Sequence, residues 1–231
     1  MEPASATTAK HGFRSVLPAR RVPPLATAAE ILAVYAGILL YLWRWQYTHP
    51  YTWIPLLGVV VCSHFLYGDR LKEMGLTAYE LRACARLVFP LLVAITISSV
   101  AYALWKRSWV IMVPYTHAWV SFVGYTVWCS FQQYLAQSYF HRRLRTIIKT
   151  PHLSSLAVAI MFSGAHIPNP ILIVATFVGG FVLAEVFARH PNIWPLAFLQ
   201  AVAGFLIGVL APAALIHHMR VGPGYYFYHF H

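Results

Sequence analysis

The sequence predicts an all-α fold, a polytopic membrane bundle of about seven transmembrane helices with further interfacial helices. Of its 231 residues, 59% are apolar and only 10% are charged, against about 25% charged in an average soluble domain. The mean hydropathy is +0.61. Apolar stretches near the roughly 20 residues needed to cross a hydrocarbon core recur along almost the whole length, with charges confined to short groups between them. One membrane domain fits this length.

Apolar runs bounded by charges, Pro and Gly place helices at 25–45, 51–68, 87–105, 117–140, 154–167, 170–188 and 193–216. The fifth is short for a full span. Residues 1–24 read as a basic cytoplasmic tail, 25–112 as an N-terminal membrane region, 113–216 as a membrane core and 217–231 as an aromatic tail. The charged start is not a cleavable signal, because no small-residue cleavage site follows a short apolar core. Within 69–86, DRLKEMGLTAYELRACAR, charges alternate with Leu71, Met74, Leu76 and Leu81, a pattern for a helix lying in the interface, and Thr77 with Glu80 reads as a capping box. The run HRRLRTIIK reads similarly, Arg143 and Lys149 meeting anionic headgroups while Leu144, Ile147 and Ile148 face acyl chains. In the tail, a Gly-Pro-Gly turn precedes Tyr225, Tyr226, Phe227 and Tyr228, suited to the outer interfacial belt, with His229 and His231 at its end.

The net charge of +11 does not form one long patch, which argues against nucleic acid. It follows the positive-inside rule instead. With the N-terminus cytoplasmic, Lys10, Arg14, Arg20, Arg21, Arg70, Lys72, Arg82, Arg86, Arg142, Arg143, Arg145, Lys149 and Arg189 lie inside, and Arg44, Lys106, Arg107 and Arg220 outside. Cys62, Cys84 and Cys129 lack C-x-x-C spacing and read as small core residues. Histidines such as His64, His141 and His166 are dispersed, and no HEXXH occurs. This excludes a clustered di-iron centre and predicts no metal-ligand set from spacing.

Polar groups inside apolar spans cost free energy unless paired, so each is a candidate for function. The fourth helix carries Gln132, Gln133 and Gln137, and the spacing of four predicts that Gln133 and Gln137 share a face. The fifth ends in FSGAHIPNP, where His166 precedes Pro168, Asn169 and Pro170 and the prolines free backbone carbonyls that must be buried in protein or line a cavity. Gln200 lies within the seventh. At a 1.5 Å rise per residue, Gln132 and Gln133 lie about 14 Å from the cytoplasmic end, His166 about 18 Å and Gln200 about 12 Å. The bland alternative is interhelical glue, each polar side chain adding about 1 kcal/mol. Glu185 with Arg189 reads as an i,i+4 pair, and Glu30 as a carboxylate suited to a helix N-terminus.

The order QQYLAQ, then Phe162 to His166 as F-x-x-x-H, then QAVAG resembles the CAAX-protease and bacteriocin-processing family. Its motifs are E-E-x-x-x-R, F-x-x-x-H and H-x-x-x-N or D on successive helices. The resemblance covers roughly residues 69–210 and includes GDRLKEMGLTAYEL, which looks like the family's interfacial segment. It implies an intramembrane endopeptidase in a bacterial plasma membrane, acting on membrane-proximal or lipidated peptides, with a divalent metal such as zinc. Carried across, Gln132 stands at the base position and His166 at its partner. Gln200 and Gly204 take the oxyanion positions, Gln133 and Gln137 the second glutamate and the arginine, and Phe162 and Asn169 the surrounding cavity. A carboxylate takes a proton from water and a glutamine amide does not, so impaired catalysis is expected. His166 alone is a remaining base, and Gln200 a remaining donor to an oxyanion. The rival expectations are a non-proteolytic protein holding peptide or lipid in the same cavity, and a different membrane enzyme using His166 as acid or base.

Overall fold

The computed structural model describes residues 22–106, 115–210 and 216–227. The basic residues of the first 21 positions, Arg107, Tyr228 and the tail histidines His229 and His231 lie outside the described residues. Seven long helices form the bundle among the described residues. They are α1 (Pro24–Leu40), continuing through a π turn to Thr48, α2 (Trp53–Tyr67), α3 (Leu81–Lys106), α4 (Tyr115–Gln133), α5 (Pro151–Gly164), α6 (Pro170–Arg189) and α7 (Ile193–Leu210). All except α4 and α5 belong to segments long and apolar enough to cross a membrane. Helix α5, with 14 residues, reaches about 21 Å, short of the roughly 30 Å of a hydrocarbon core.

Local chemistry sets many of these ends. Pro24, Pro151 and Pro170 open α1, α5 and α6, where a missing N–H costs nothing. Gly68 closes α2 in the left-handed conformation at φ 64°. The Asn169 side chain accepts from Leu172 N at 3.2 Å as the α6 N-cap, and its Nδ2 donates to Ile216 O at 2.8 Å and Arg220 O at 3.2 Å, tying down the tail.

Helix α5 packs along α6, and α7 packs against both α3 and α4. One core joins Cys84 and Val88 of α3 to Phe187 of α6 and Leu196 of α7, and another joins Ile31 and Val34 to Val60, Tyr139, Val158 and Ala184. Phe89, Ile97, Leu104 and Trp105 of α3 stay exposed, as lipid-facing residues do. Among the described residues, Arg70, Lys72, Arg82, Arg86, Arg142, Arg143, Arg145, Lys149 and Arg189 gather at one end of the bundle, here called the basic end. Arg44, Lys106 and Arg220 lie at the other.

Several local expectations change. Residues 69–80 form successive turns instead of an interfacial helix, since Gly75 takes φ 73° and Glu80 φ 57°, conformations no α-helix contains. Leu81 then starts a span. No capping box forms: Thr77 Oγ1 accepts from Tyr79 N, and Glu80 Oε2 pairs with His190 Nδ1 at 2.9 Å. The HRRLRTIIK run is not an amphipathic anchor. Arg142 and Arg143 are fully buried and Leu144 is in the core, because acidic side chains wait inside; Lys149 is exposed. Cys84 and Cys129 are core residues, but Cys62 is exposed. At the proline break, Ile167 O is taken by Gly222 N at 2.9 Å, so the tail satisfies that carbonyl.

Candidate functional site

Gln132 and Gln133 end the α-helical part of α4, and Gln200 faces them from α7. Adjacent helical residues point about 100° apart, so one opposing side chain bridges both only from between them. Gln200 does so: Gln133 Nε2 donates to Gln200 Oε1 at 2.6 Å, and Gln200 Nε2 donates to Gln132 Oε1 at 2.5 Å. Gln133 is completely buried, and its Oε1 has no hydrogen-bond partner.

Beyond Gln133 the α4 backbone widens into a π-helical segment, Tyr134–His141, before resuming as Arg142–Ile147. The change of register separates Gln137 from the glutamine cluster. Its Oε1 meets His141 Nδ1 at 3.2 Å, while His141 Nε2 lies 3.4 Å from Ser154 Oγ on α5. Gln137 Nε2 is buried without a partner. The expected shared face of Gln133 and Gln137 is therefore replaced by two environments, as a π segment dictates.

His166 does not hydrogen-bond to the glutamines. Its Nδ1 lies 2.7 Å from Phe162 O, and its ring meets that of Phe162 edge-on at 4.9 Å between centroids. Phe162 in turn packs against Gly180 of α6. Gly204 lies one turn beyond Gln200, and the Tyr125 hydroxyl occupies the place where a side chain at 204 would project. Tyr125 also packs against the small core of Cys129, Ala197 and Ala201. Gly204→Ala forces Tyr125 aside and is expected to cost about 1–2 kcal/mol; denaturant unfolding in mixed micelles measures it.

A second polar cluster, at the basic end, was not singled out by sequence reasoning. Asp69 is fully buried and accepts from Arg142 Nη2 at 2.5 Å; Arg143 Nη2 and His64 Nδ1 lie 2.8 and 2.7 Å from its other oxygen. Glu30 Oε1 accepts from Ser63 Oγ at 2.5 Å and Tyr139 Oη at 2.8 Å. Arg143 also donates to Ser63 Oγ, and its guanidinium lies 3.7 Å from the centre of the Tyr67 ring. Glu30 thus does more than complement a helix dipole. Burial alone would raise the Asp69 carboxyl, but the His64 hydrogen bond and the two guanidinium groups outweigh it and hold the group well below the usual carboxylate range. The available signal was the scarcity of acids: a lone carboxylate flanking an apolar span demands a partner. Glu185 keeps its expected partner, Arg189 Nη2 at 3.2 Å, and adds His152 Nδ1 at 3.1 Å.

Zinc, which the family resemblance implies, takes nitrogen, thiolate or carboxylate donors. The residues that the resemblance sets at those positions, Gln132, Gln133, Gln200 and His166, are three amides bonded to one another and one imidazole whose Nδ1 is engaged elsewhere. This donor set does not fit zinc, and no group of three His, Cys, Asp or Glu suited to a metal occurs among the described residues.

The fold and this arrangement define a polytopic α-helical membrane protein with polar side chains buried between its core helices. Residues 117–206 match the family described as type II CAAX prenyl endopeptidase Rce1-like, which supports the resemblance of this stretch to CAAX-protease-like proteins. The matched stretch, less than half of the chain, runs from α4 through most of α7 and contains every candidate position from Gln132 to Gly204. No curated protein and no solved structure matches the chain.

Proposed function

We propose that this CAAX-protease-like membrane protein engages membrane-proximal peptides at the α4–α7 contact and that its hydrolytic step is impaired. The observation that carries this reading is the amide chain Gln133–Gln200–Gln132 at the positions where the family has ionisable groups. An amide has no proton-accepting charge to offer a water molecule. Carboxylates elsewhere are committed: Glu30, Asp69, Glu73, Glu80 and Glu185 all bond arginine, histidine or hydroxyl partners at the basic end. His166 is the one residue of the motif set that retains acid–base chemistry. We infer that the basic end faces the cytoplasm, a reading supported by its Lys and Arg excess; a bacterial plasma membrane rests on the family resemblance alone.

The second reading, a non-proteolytic binder of peptide or lipid, is favoured by one detail. Gln133 Oε1 and Gln137 Nε2 are an unpaired buried acceptor and donor, complementary to the N–H and C=O of a peptide unit. Incubating the purified chain with prenylated and unprenylated membrane-proximal peptides separates the readings. Very slow cleavage, abolished by His166→Ala and retained by Gln132→Ala, supports an impaired endopeptidase. Binding without cleavage supports the second reading. Cleavage at full rate in both variants removes these residues from the site.

A further inference from the structure

The sequence DRLKEMGLTAYELRACAR interleaves acids and bases, but the fold sorts them. Asp69 is buried, Glu73 reaches Arg142, and Glu80 reaches His190. Arg70, Lys72, Arg82 and Arg86 all remain exposed, and none has an ion-pair partner among the described residues. The remaining described carboxylates, Glu30 and Glu185, are likewise turned toward internal partners. The fold thereby leaves this surface with basic charge that its own acids do not neutralise.

Two features fit that surface to a lipid. Leu66, Leu71, Leu81 and Leu87 are exposed alongside the four basic residues, giving an apolar rim beside the charged heads. Arg82 sits in the first turn of α3, which contains no acidic residue; Glu80, just before it, bonds His190, and the positive end of the helix dipole beside Arg82 favours a further anion. An open cleft lined by Ala78, Glu80, Leu81, Arg82 and Ala83 lies at the same place, with the Glu80 carboxylate paired to His190. We propose that Arg70, Lys72, Arg82 and Arg86 form a binding surface for anionic phospholipid headgroups, with the neighbouring leucines entering the acyl layer. The surface is independent of the glutamine cluster and of any peptide chemistry there. Each basic side chain near an anionic surface contributes about fivefold to affinity, and exposed charges are screened by salt.

The test uses the full chain in mixed micelles supplied with either phosphatidylglycerol or phosphatidylcholine, counting bound lipid by native mass spectrometry and following the thermal midpoint. The expected result is preferential binding of phosphatidylglycerol, a midpoint raised by that lipid alone, and both effects weakened by added salt. Arg70→Gln/Lys72→Gln/Arg82→Gln/Arg86→Gln should lose the preference while Arg44→Gln/Lys106→Gln, at the opposite end, keeps it. Equal effects of the two lipids, retention of the preference by the quadruple variant, its loss in the double variant, or the same midpoint rise with inorganic phosphate would each overturn the proposal.

Discussion

Asp69→Ala is expected to destabilise the protein by about 3–5 kcal/mol, because it leaves two guanidinium groups buried without their counter-charge. Arg142 and Arg143 have no exposed side-chain surface, so water does not replace the lost carboxylate. Reversible unfolding in mixed micelles measures the loss. A change below about 1 kcal/mol would show that the cluster is hydrated and behaves as a surface ion pair. Replacing acid and bases together by apolar residues should cost less than the single change, since it removes the uncompensated charge along with the pair.

The same carboxylate sets a pH dependence. Its folded-state pKa is depressed, so its stabilisation is complete above the unfolded value of about 3.9 and is lost as the pH falls through the folded value. The wild-type protein should lose this contribution progressively as the pH falls below about 4. Asp69→Asn should lack that part of the acid dependence. An unchanged acid profile in this variant would assign the transition to other carboxylates.

Gln200→Ala carries the second large effect. It removes both amide contacts at once and leaves Gln133, completely buried, with neither end of its amide paired to α7. An unsatisfied buried polar group costs about 1–3 kcal/mol, and loss of this bridge between α4 and α7 should fall in the upper half of that range. The triple change Gln132→Leu/Gln133→Leu/Gln200→Leu should cost less, since no polar group is stranded. If it retains peptide binding as well, the glutamines are interhelical glue and the binding assignment fails. If stability is kept and binding lost, the cluster is a recognition element.

What the sequence by itself determined is everything that depends on near neighbours along the chain and on the choice of solvent. Helix number and placement follow from apolar runs of spanning length bounded by charges and prolines, because a backbone in lipid must satisfy its hydrogen bonds within each segment. The alternation of basic groups was equally legible, and so was the Glu185–Arg189 pair.

Tertiary structure alone decided which partner each polar side chain takes. Arg143 reads as a headgroup ligand in HRRLRTIIK, but it lies buried because Asp69 and Ser63, some eighty residues earlier, converge on it. Gln133 and Gln137 read as one face, and the π segment turns them apart. Tyr125 fills the space at Gly204 from another helix, and no spacing rule predicts that. Hydrophobic periodicity is a local property, whereas the cost of a buried charge or amide is settled by whichever distant group folding brings within about 3 Å of it.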